Sequence, residues 1–175
     1  ENLGICPIKL DKYLKKTTKK INGKLFNKKT KKEIKALIAV HLYGLPCKID
    51  QIKQICKKYK IILIEDAAES LGSFYKSKHT GTFGEIGVLS FNGNKIITTG
   101  SGGAILCNEE LYLKGKHLST TAKKPNDIHF VHDEVGFNYR LVNVLAAIGV
   151  AQMENFESIL KRKKEIDAIY RKELV

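Results

Sequence analysis

The sequence predicts an α/β fold: a parallel or mixed sheet flanked by helices, with function at the C-terminal ends of the strands. Three observations predict it. Two short apolar runs, Ala36–Val40 (ALIAV) and residues 61–64 (IILI), have the length and composition of strands buried on both faces. Between them Ile49, Ile52, Ile55, Cys56 and Tyr59 follow the helical period, with lysines on the outward face. That completes a strand–helix–strand unit, which implies a right-handed parallel crossover. Residues 86–91 and Gly103–Cys107 then read as two further strands, with the segment carrying Lys95 between them.

The remaining elements follow in chain order. Residues 8–16 form a short helix, because Leu10 and Leu14 are four apart and lysines occupy the outer face. Residues 19–32 are polar, basic and marked by Gly23, which predicts a surface loop or irregular hairpin. His41, Tyr43, Gly44 and Pro46 make a turn beyond the first strand, and Asp50 stands near the start of the helix that follows. Residues 74–84 alternate polar and aromatic side chains around two glycines, as a hairpin or extended loop would. Residues 109–118 are helical. Residues 123–137 form a long polar loop with His129, His132, Asp133 and Glu134, and such loops in compact domains tend to be functional or disordered. Residues 141–153 (LVNVLAAIGVAQM) predict a tightly packed helix, and residues 154–174 an amphipathic, charged one.

Composition narrows the class. The chain has 175 residues, enough for one ordinary core, and its apolar fraction of 43% is normal for a globular protein. No apolar run reaches the roughly 18 residues that a membrane span needs. No charged-then-apolar leader opens the chain, so no secretory signal is expected. The chain begins with Glu1 rather than Met, as a piece of something longer would. Cys6, Cys47, Cys56 and Cys107 are widely spaced and form no CxxC pair, which argues for free thiols in a cytoplasmic protein. The net charge of +13 is nearly all lysine, gathered in residues 15–35 and 57–60 with no aromatic interleaving of the kind that would stack bases. Solvated faces account for it more simply than nucleic-acid binding does.

Several residues can carry chemistry. Lys95 sits in a mostly apolar, glycine-bearing segment; desolvation there would lower its pKa and free its amine to attack carbonyls, whereas an exposed turn would not. Asp66 ends a strand, where a carboxylate can hold a cationic ring nitrogen or a metal, or cap the next helix. Glu65, its neighbour, points the other way. Ser90, Thr98, Thr99 and the glycines at 100, 102 and 103 offer hydroxyls and amides to a phosphate, though a tight turn needs the same glycines. Asn138 and Arg140 (GFNYR) follow the long loop; the arginine can grip a carboxylate or phosphate, or form a structural ion pair. The histidines at 79, 117, 129 and 132 lack ligand spacing, so no metal is assigned.

Taken together and in order, VHLYG, IEDAAES, SFNGNK, TTGSGGA and GFNYRL…AAIGVAQME resemble the DegT/DnrJ/EryC1/StrS family of pyridoxal-phosphate sugar aminotransferases over essentially the whole chain. The likeness implies part of the large domain of a fold-type I transferase, a mostly parallel sheet flanked by helices. Residues 1–153 would be its central part, and residues 154–175 the start of a helix leading to a small C-terminal domain. Lys95 would bond to pyridoxal 5′-phosphate, Asp66 would pair with its ring nitrogen, Glu69 would lie near its 3-hydroxyl, and Ser90 would hold its phosphate. Asn138 would reach the cofactor of a partner subunit in a homodimer with shared sites. His132 and Arg140 would lie near the nucleotide sugar. EDAAESLGSFYKSKHTGTFG and the loop ending in GFNYR are most similar to enzymes that aminate C4 of a UDP-4-keto-6-deoxy-N-acetylhexosamine, with glutamate as donor, for bacterial glycans built on bacillosamine or legionaminic acid. Family members with histidine in place of this lysine are dehydratases, so Lys95 implies transamination. Ser101 stands where relatives commonly have glycine. The family's N-terminal phosphate loop precedes the matched region, so this chain alone is expected to bind cofactor poorly. An interaction module without catalysis and a basic nucleic-acid-binding domain are the readings that the residues alone leave open.

Overall fold

The computed structural model describes residues 3–125 and 128–174. Helix α1 (Pro7–Thr17) opens on a proline at a position whose N–H has no intrahelical partner, and it buries Leu10 and Leu14. It runs into a hairpin of β1 (Thr18–Ile21) and β2 (Lys24–Asn27), paired antiparallel. The hairpin is regular: Asn22 and Gly23 both have positive φ (48° and 78°), as a two-residue type I′ turn demands. The Asn-Gly pair was the signal for it.

Strand β3 (Ala36–Val40) leads through a 3-10 turn (Leu42–Gly44) to α2 (Ile49–Tyr59), then to β4 (Ile62–Asp66). Helix α2 ends on Lys60 in the left-handed region (φ 57°), whose N–H bonds back to the carbonyls of Cys56 and Lys57. A short hairpin of β5 (Phe74–Tyr75) and β6 (Lys78–His79) precedes β7 (Ile86–Ser90) and β8 (Gly103–Cys107). The main sheet has the order β3-β4-β7-β8; its first two pairings are parallel and the last is antiparallel. The sheet is thus mixed and mostly parallel.

The core lies on one face of this sheet. Ala39, Ile49 and Ile52 are fully buried and Leu63 is 1% exposed, joined by Leu10 and Leu14 of α1. Burial of β3 on both faces does not hold. Register places Ile38, Ile64 and Ile86 in one row and Val40, Asp66, Val88 and Ile105 in the next, all on the opposite face. There Ile38 is 60% exposed and Ile105 65%. Both α1 and α2 pack against the Ala39–Leu63 side, so this second face keeps its apolar pattern without a covering layer among the described residues.

Helix α3 (Glu109–Ser119) is capped by Asn108, whose Oδ1 accepts the Leu111 N–H at 2.9 Å, with Glu109 and Glu110 favourably placed against the helix dipole. Helices α4 (Asn143–Glu154) and α5 (Phe156–Glu173) meet at Asn155. The expectation of tight packing fails for α4, which buries none of its residues. One side rests on the segment before β8: the Thr98 N–H donates to Gln152 Oε1 at 3.3 Å, and a Cβ on Gly149 would meet Thr99 at 3.0 Å. The rest, including Val144 and Val150, faces outward. A helix apolar all round is built for more neighbours than this one has. Among the described residues no helix is long and apolar enough to cross a membrane.

Candidate active site

Parallel strands deliver their functional residues at one end, and here that end carries β4 and β7 side by side. Because side chains alternate along a strand, Glu65 and Asp66 leave β4 on opposite faces. Asp66 is half-buried, and its Oδ1 accepts the Ala68 N–H at 3.1 Å. Turns rather than a helix follow β4, so Asp66 does not cap a helix; it shapes the turn that carries Glu69.

Glu69 is held from two sides. Its Oε2 accepts the Tyr43 N–H at 2.7 Å, and its Oε1 lies 3.8 Å from Lys95 Nζ. Tyr43 reaches it from a left-handed backbone (φ 53°), and Gly44 (φ 77°) lets the turn close against the Glu69 carbonyl. Lys95 stands at the end of β7's extension, its N–H bonded to the Asn92 carbonyl at 3.0 Å, and its side chain is only 16% exposed. Ser90, the last residue of β7, accepts the Asn92 N–H on Oγ at 3.3 Å, which leaves its hydroxyl proton for another acceptor.

Tyr43, Glu69, Ser90, Asn94, Lys95 and Ile96 surround one cavity of about 360 Å³. A larger hollow of about 510 Å³ lies between α4 and residues 91–99, but its wall is apolar and Glu154 is its one charged residue. The amine, carboxylate and hydroxyl groups line the smaller cavity instead. A little-exposed primary amine, a carboxylate beside it and a hydroxyl with a free proton fit a carbonyl-bearing, phosphorylated cofactor, with the second carboxylate, Asp66, at the adjoining strand end. The glycines that follow answer to geometry instead. Gly100 (φ 83°) and Gly102 (φ 98°) turn the chain into β8, and a Cβ on Gly102 would strike Leu141 at 2.7 Å.

Lys95, Glu69 and Ser90 therefore come together; Asp66 adjoins them without lining the cavity. Asn138 and Arg140 are exposed outside the cavity, with Asn138 bridged to Thr120. His132 is exposed too, its Nδ1 2.6 Å from the Thr121 carbonyl. The same loop is tied to α3 by His117, 2.7 Å from Asp133, while Glu134 takes the Lys114 ammonium at 2.5 Å. His117, Asp133 and Glu134 converge within 4.8 Å. Lys114 already offsets one of the two carboxylates and His117 bonds the other, so the corner reads as an ion-pair network.

Sequence reasoning missed a second cluster. Glu65 and His41 are wholly buried, with His41 Nε2 3.0 Å from Glu65 Oε2. Oε2 also accepts the Gly81 N–H at 2.9 Å, and Oε1 accepts those of Phe83 at 2.5 Å and Gly84 at 2.6 Å. Burial pushes the Glu65 carboxyl upward, but the imidazole and the three N–H groups outweigh it and hold the pKa below the usual range. Burial disfavours charge on His41, whereas the contacts with Cys47 and Glu65 favour it. However, its Nδ1 accepts the Cys47 N–H at 3.1 Å, so a second proton would displace that donor and the bonding calls for the neutral Nε2–H form. Glu65 thus staples the turn bearing Tyr43 to the loop that enters β7.

Residues 2–175 match the DegT/DnrJ/EryC1/StrS aminotransferase family. EpsN of Bacillus subtilis (strain 168), provisionally named a pyridoxal phosphate-dependent aminotransferase, is 47% identical over 80% of this chain and 36% of its own. GDP-perosamine synthase of Escherichia coli O157:H7 is 44% identical over 80% of this chain and 38% of its own. The UDP-4-amino-4,6-dideoxy-N-acetyl-beta-L-altrosamine transaminase of Campylobacter jejuni (strain 81-176) is 36% identical over 89% and 41%. Among solved structures, Helicobacter pylori PseC, an aminotransferase of pseudoaminic acid biosynthesis, superimposes with a TM-score of 0.75 at 28% identity over 79% of this chain and 38% of its own. The chain spans well under half the length of each of these relatives.

Proposed function

The chain belongs to the DegT/DnrJ/EryC1/StrS aminotransferase family, and from that premise we propose that it carries the cofactor lysine of a nucleotide-sugar aminotransferase. The observation that supports this most directly is Lys95 Nζ, 3.8 Å from Glu69 in a cavity at the C-terminal ends of β4 and β7. Pyridoxal 5′-phosphate is the cofactor, as the name of the Bacillus relative indicates. When bound, it supplies an electron sink through which an amino group passes from donor to keto sugar.

The chain's own residues do the rest. Lys95 would hold the cofactor, and its free amine would move a proton as the general base, with Glu69 Oε1 3.8 Å from its nitrogen. Asp66 would keep the ring nitrogen charged, Glu69 would face the 3-hydroxyl, and the Ser90 hydroxyl would donate to the phosphate. Asn138, exposed two residues before Arg140, would serve a partner subunit's cofactor in a homodimer, and His132 with Arg140 would border the sugar nucleotide. Residues 1–153 belong to the large domain, and residues 154–175 begin the link to a second domain. The finer reading is transfer from glutamate to C4 of a UDP-4-keto-6-deoxy-N-acetylhexosamine for surface glycans, in the cytoplasm.

The test is spectroscopic. The full-length protein with added pyridoxal phosphate, reduced with borohydride and mapped by mass spectrometry, yields a cofactor adduct on Lys95, and the Lys95→Ala variant loses both adduct and amino transfer. An adduct elsewhere, or none, sinks the proposal. Assaying UDP- and GDP-linked 4-keto sugars side by side then decides the substrate, since relatives of both kinds are matched.

A further inference from the structure

The chain's net charge is confined to one end. Residues 15–35 and 57–60 hold thirteen lysines against one acidic residue, Glu33, whereas residues 61–175 balance at fourteen basic and fourteen acidic side chains. A uniform lysine bias would have spread into the second part. The fold gathers the two lysine groups into one patch. The β1–β2 hairpin joins the start of β3 through the Ile34 N–H on the Leu25 carbonyl, and α2 ends at Tyr59 just before β4 begins. Lys20 Nζ donates to the Lys58 carbonyl at 3.0 Å, and Lys28 Nζ to the Lys16 carbonyl at 2.8 Å. Only the pairs Lys24–Glu33 at 3.8 Å and Lys58–Asp11 at 2.6 Å offset the patch among the described residues.

Position and chemistry indicate the partner. The patch lies where the strands enter the sheet, the opposite end from Lys95, so it cannot funnel an anionic substrate into the cavity. All thirteen cations are lysines; the chain's arginines are at 140, 162 and 171. Nucleic-acid readers draw on arginine forks and stacking aromatics, whereas ammonium groups on flexible stems suit a diffuse layer of anionic headgroups. The hairpin tip adds Ile21, 41% exposed between Lys20 and the Asn22–Gly23 turn. An apolar residue within a basic tip can enter the interface between headgroups and acyl chains. We propose that this basic end docks the protein on a bilayer surface rich in anionic phospholipid, with the β1–β2 tip at the interface and the Lys95 cavity facing away.

The proposal is independent of the aminotransfer reading. Sedimentation with phosphatidylcholine vesicles, with and without phosphatidylserine, tests it at low and high salt. Binding is expected only to the anionic vesicles and falls steeply with salt. Each lysine lost from such a surface weakens binding roughly fivefold, so K19Q/K29Q/K32Q, all exposed positions, loses on the order of a hundredfold with its circular dichroism unchanged. Ile21→Ser lowers the binding that survives at high salt. Absence of binding at low salt, or an undiminished triple variant, overturns the proposal. Displacement from vesicles by duplex DNA at matched charge also overturns it and reassigns the patch to nucleic acid.

Discussion

The β3–α2–β4 unit and the three C-terminal helices draw on the same kinds of residue and end in opposite states. In the first, Ala39, Ile49, Ile52 and Glu65 are wholly buried. In the second, α3, α4 and α5 bury none of their residues, although α4 is the most apolar helix in the chain. The difference lies in neighbours. The first unit is closed over, because each strand has a partner strand, α2 lies across them and α1 adds Leu10 and Leu14. The helices rest on the remainder at a few points only. Apolar pattern records what a segment is suited to bury; the surrounding chain decides whether it is buried.

The comparison breaks first at Glu65. Glu65→Ala leaves three N–H donors and the His41 ring without their acceptor in a site that water does not reach. Each buried donor left without its acceptor costs about 1–3 kcal/mol, so the total is expected to reach several kcal/mol. Urea unfolding is expected to show that loss, and a loss below about 1 kcal/mol would mean that the cluster is not closed in solution.

Ile52→Ala comes next. Ile52 is fully buried in α2, and truncation of such a side chain costs about 2–5 kcal/mol through lost transfer and a residual cavity. The denaturant midpoint is expected to fall with the slope unchanged; a changed slope would place the effect in the unfolded state instead.

The dependence on pH is a smaller test of the same unit. The folded-state pKa of Glu65 lies below its ordinary value of 4.5. The unfolded chain therefore takes up the proton first, and the stability that the carboxylate contributes is present above about pH 4.5 and lost as pH falls through the folded value. Glu65→Gln is expected to flatten that acid limb of a thermal melt series. An acid limb of undiminished steepness would assign it to other carboxylates.

Much of this was legible from sequence for local reasons. The strand runs ALIAV and IILIED, the helical period between them and the position of Lys95 follow from spacing along the chain. Glu65–His41 did not, because its partners come from positions 41, 81, 83 and 84, brought together only by strand pairing. Nor did the exposure of α4 or the open second face of the sheet, since burial depends on what lies across an element. Lys95 and Ser90 were singled out from their setting in the sequence and Glu69 through the resemblance, and the three meet at one cavity; Asp66 only adjoins it, and Asn138, His132 and Arg140 stand apart.

The smallest expected effect has the opposite sign and cuts deepest into the comparison. Val144 lies in the first turn of α4 and is 71% exposed, so truncating it removes little buried surface. A β-branched residue in a helix also gives up side-chain freedom that alanine does not, worth about 0.5 kcal/mol. Val144→Ala should therefore leave stability unchanged or raise it by a few tenths of a kcal/mol, where Ile52→Ala lowers it severalfold more. Measured together in urea, the pair separates intrinsic propensity from packing. A loss above about 1 kcal/mol for Val144→Ala would show that α4 is covered in solution, for instance by a second copy of the chain. The contrast between the two regions would then come from the missing neighbour alone, and a dependence of that loss on protein concentration would identify it.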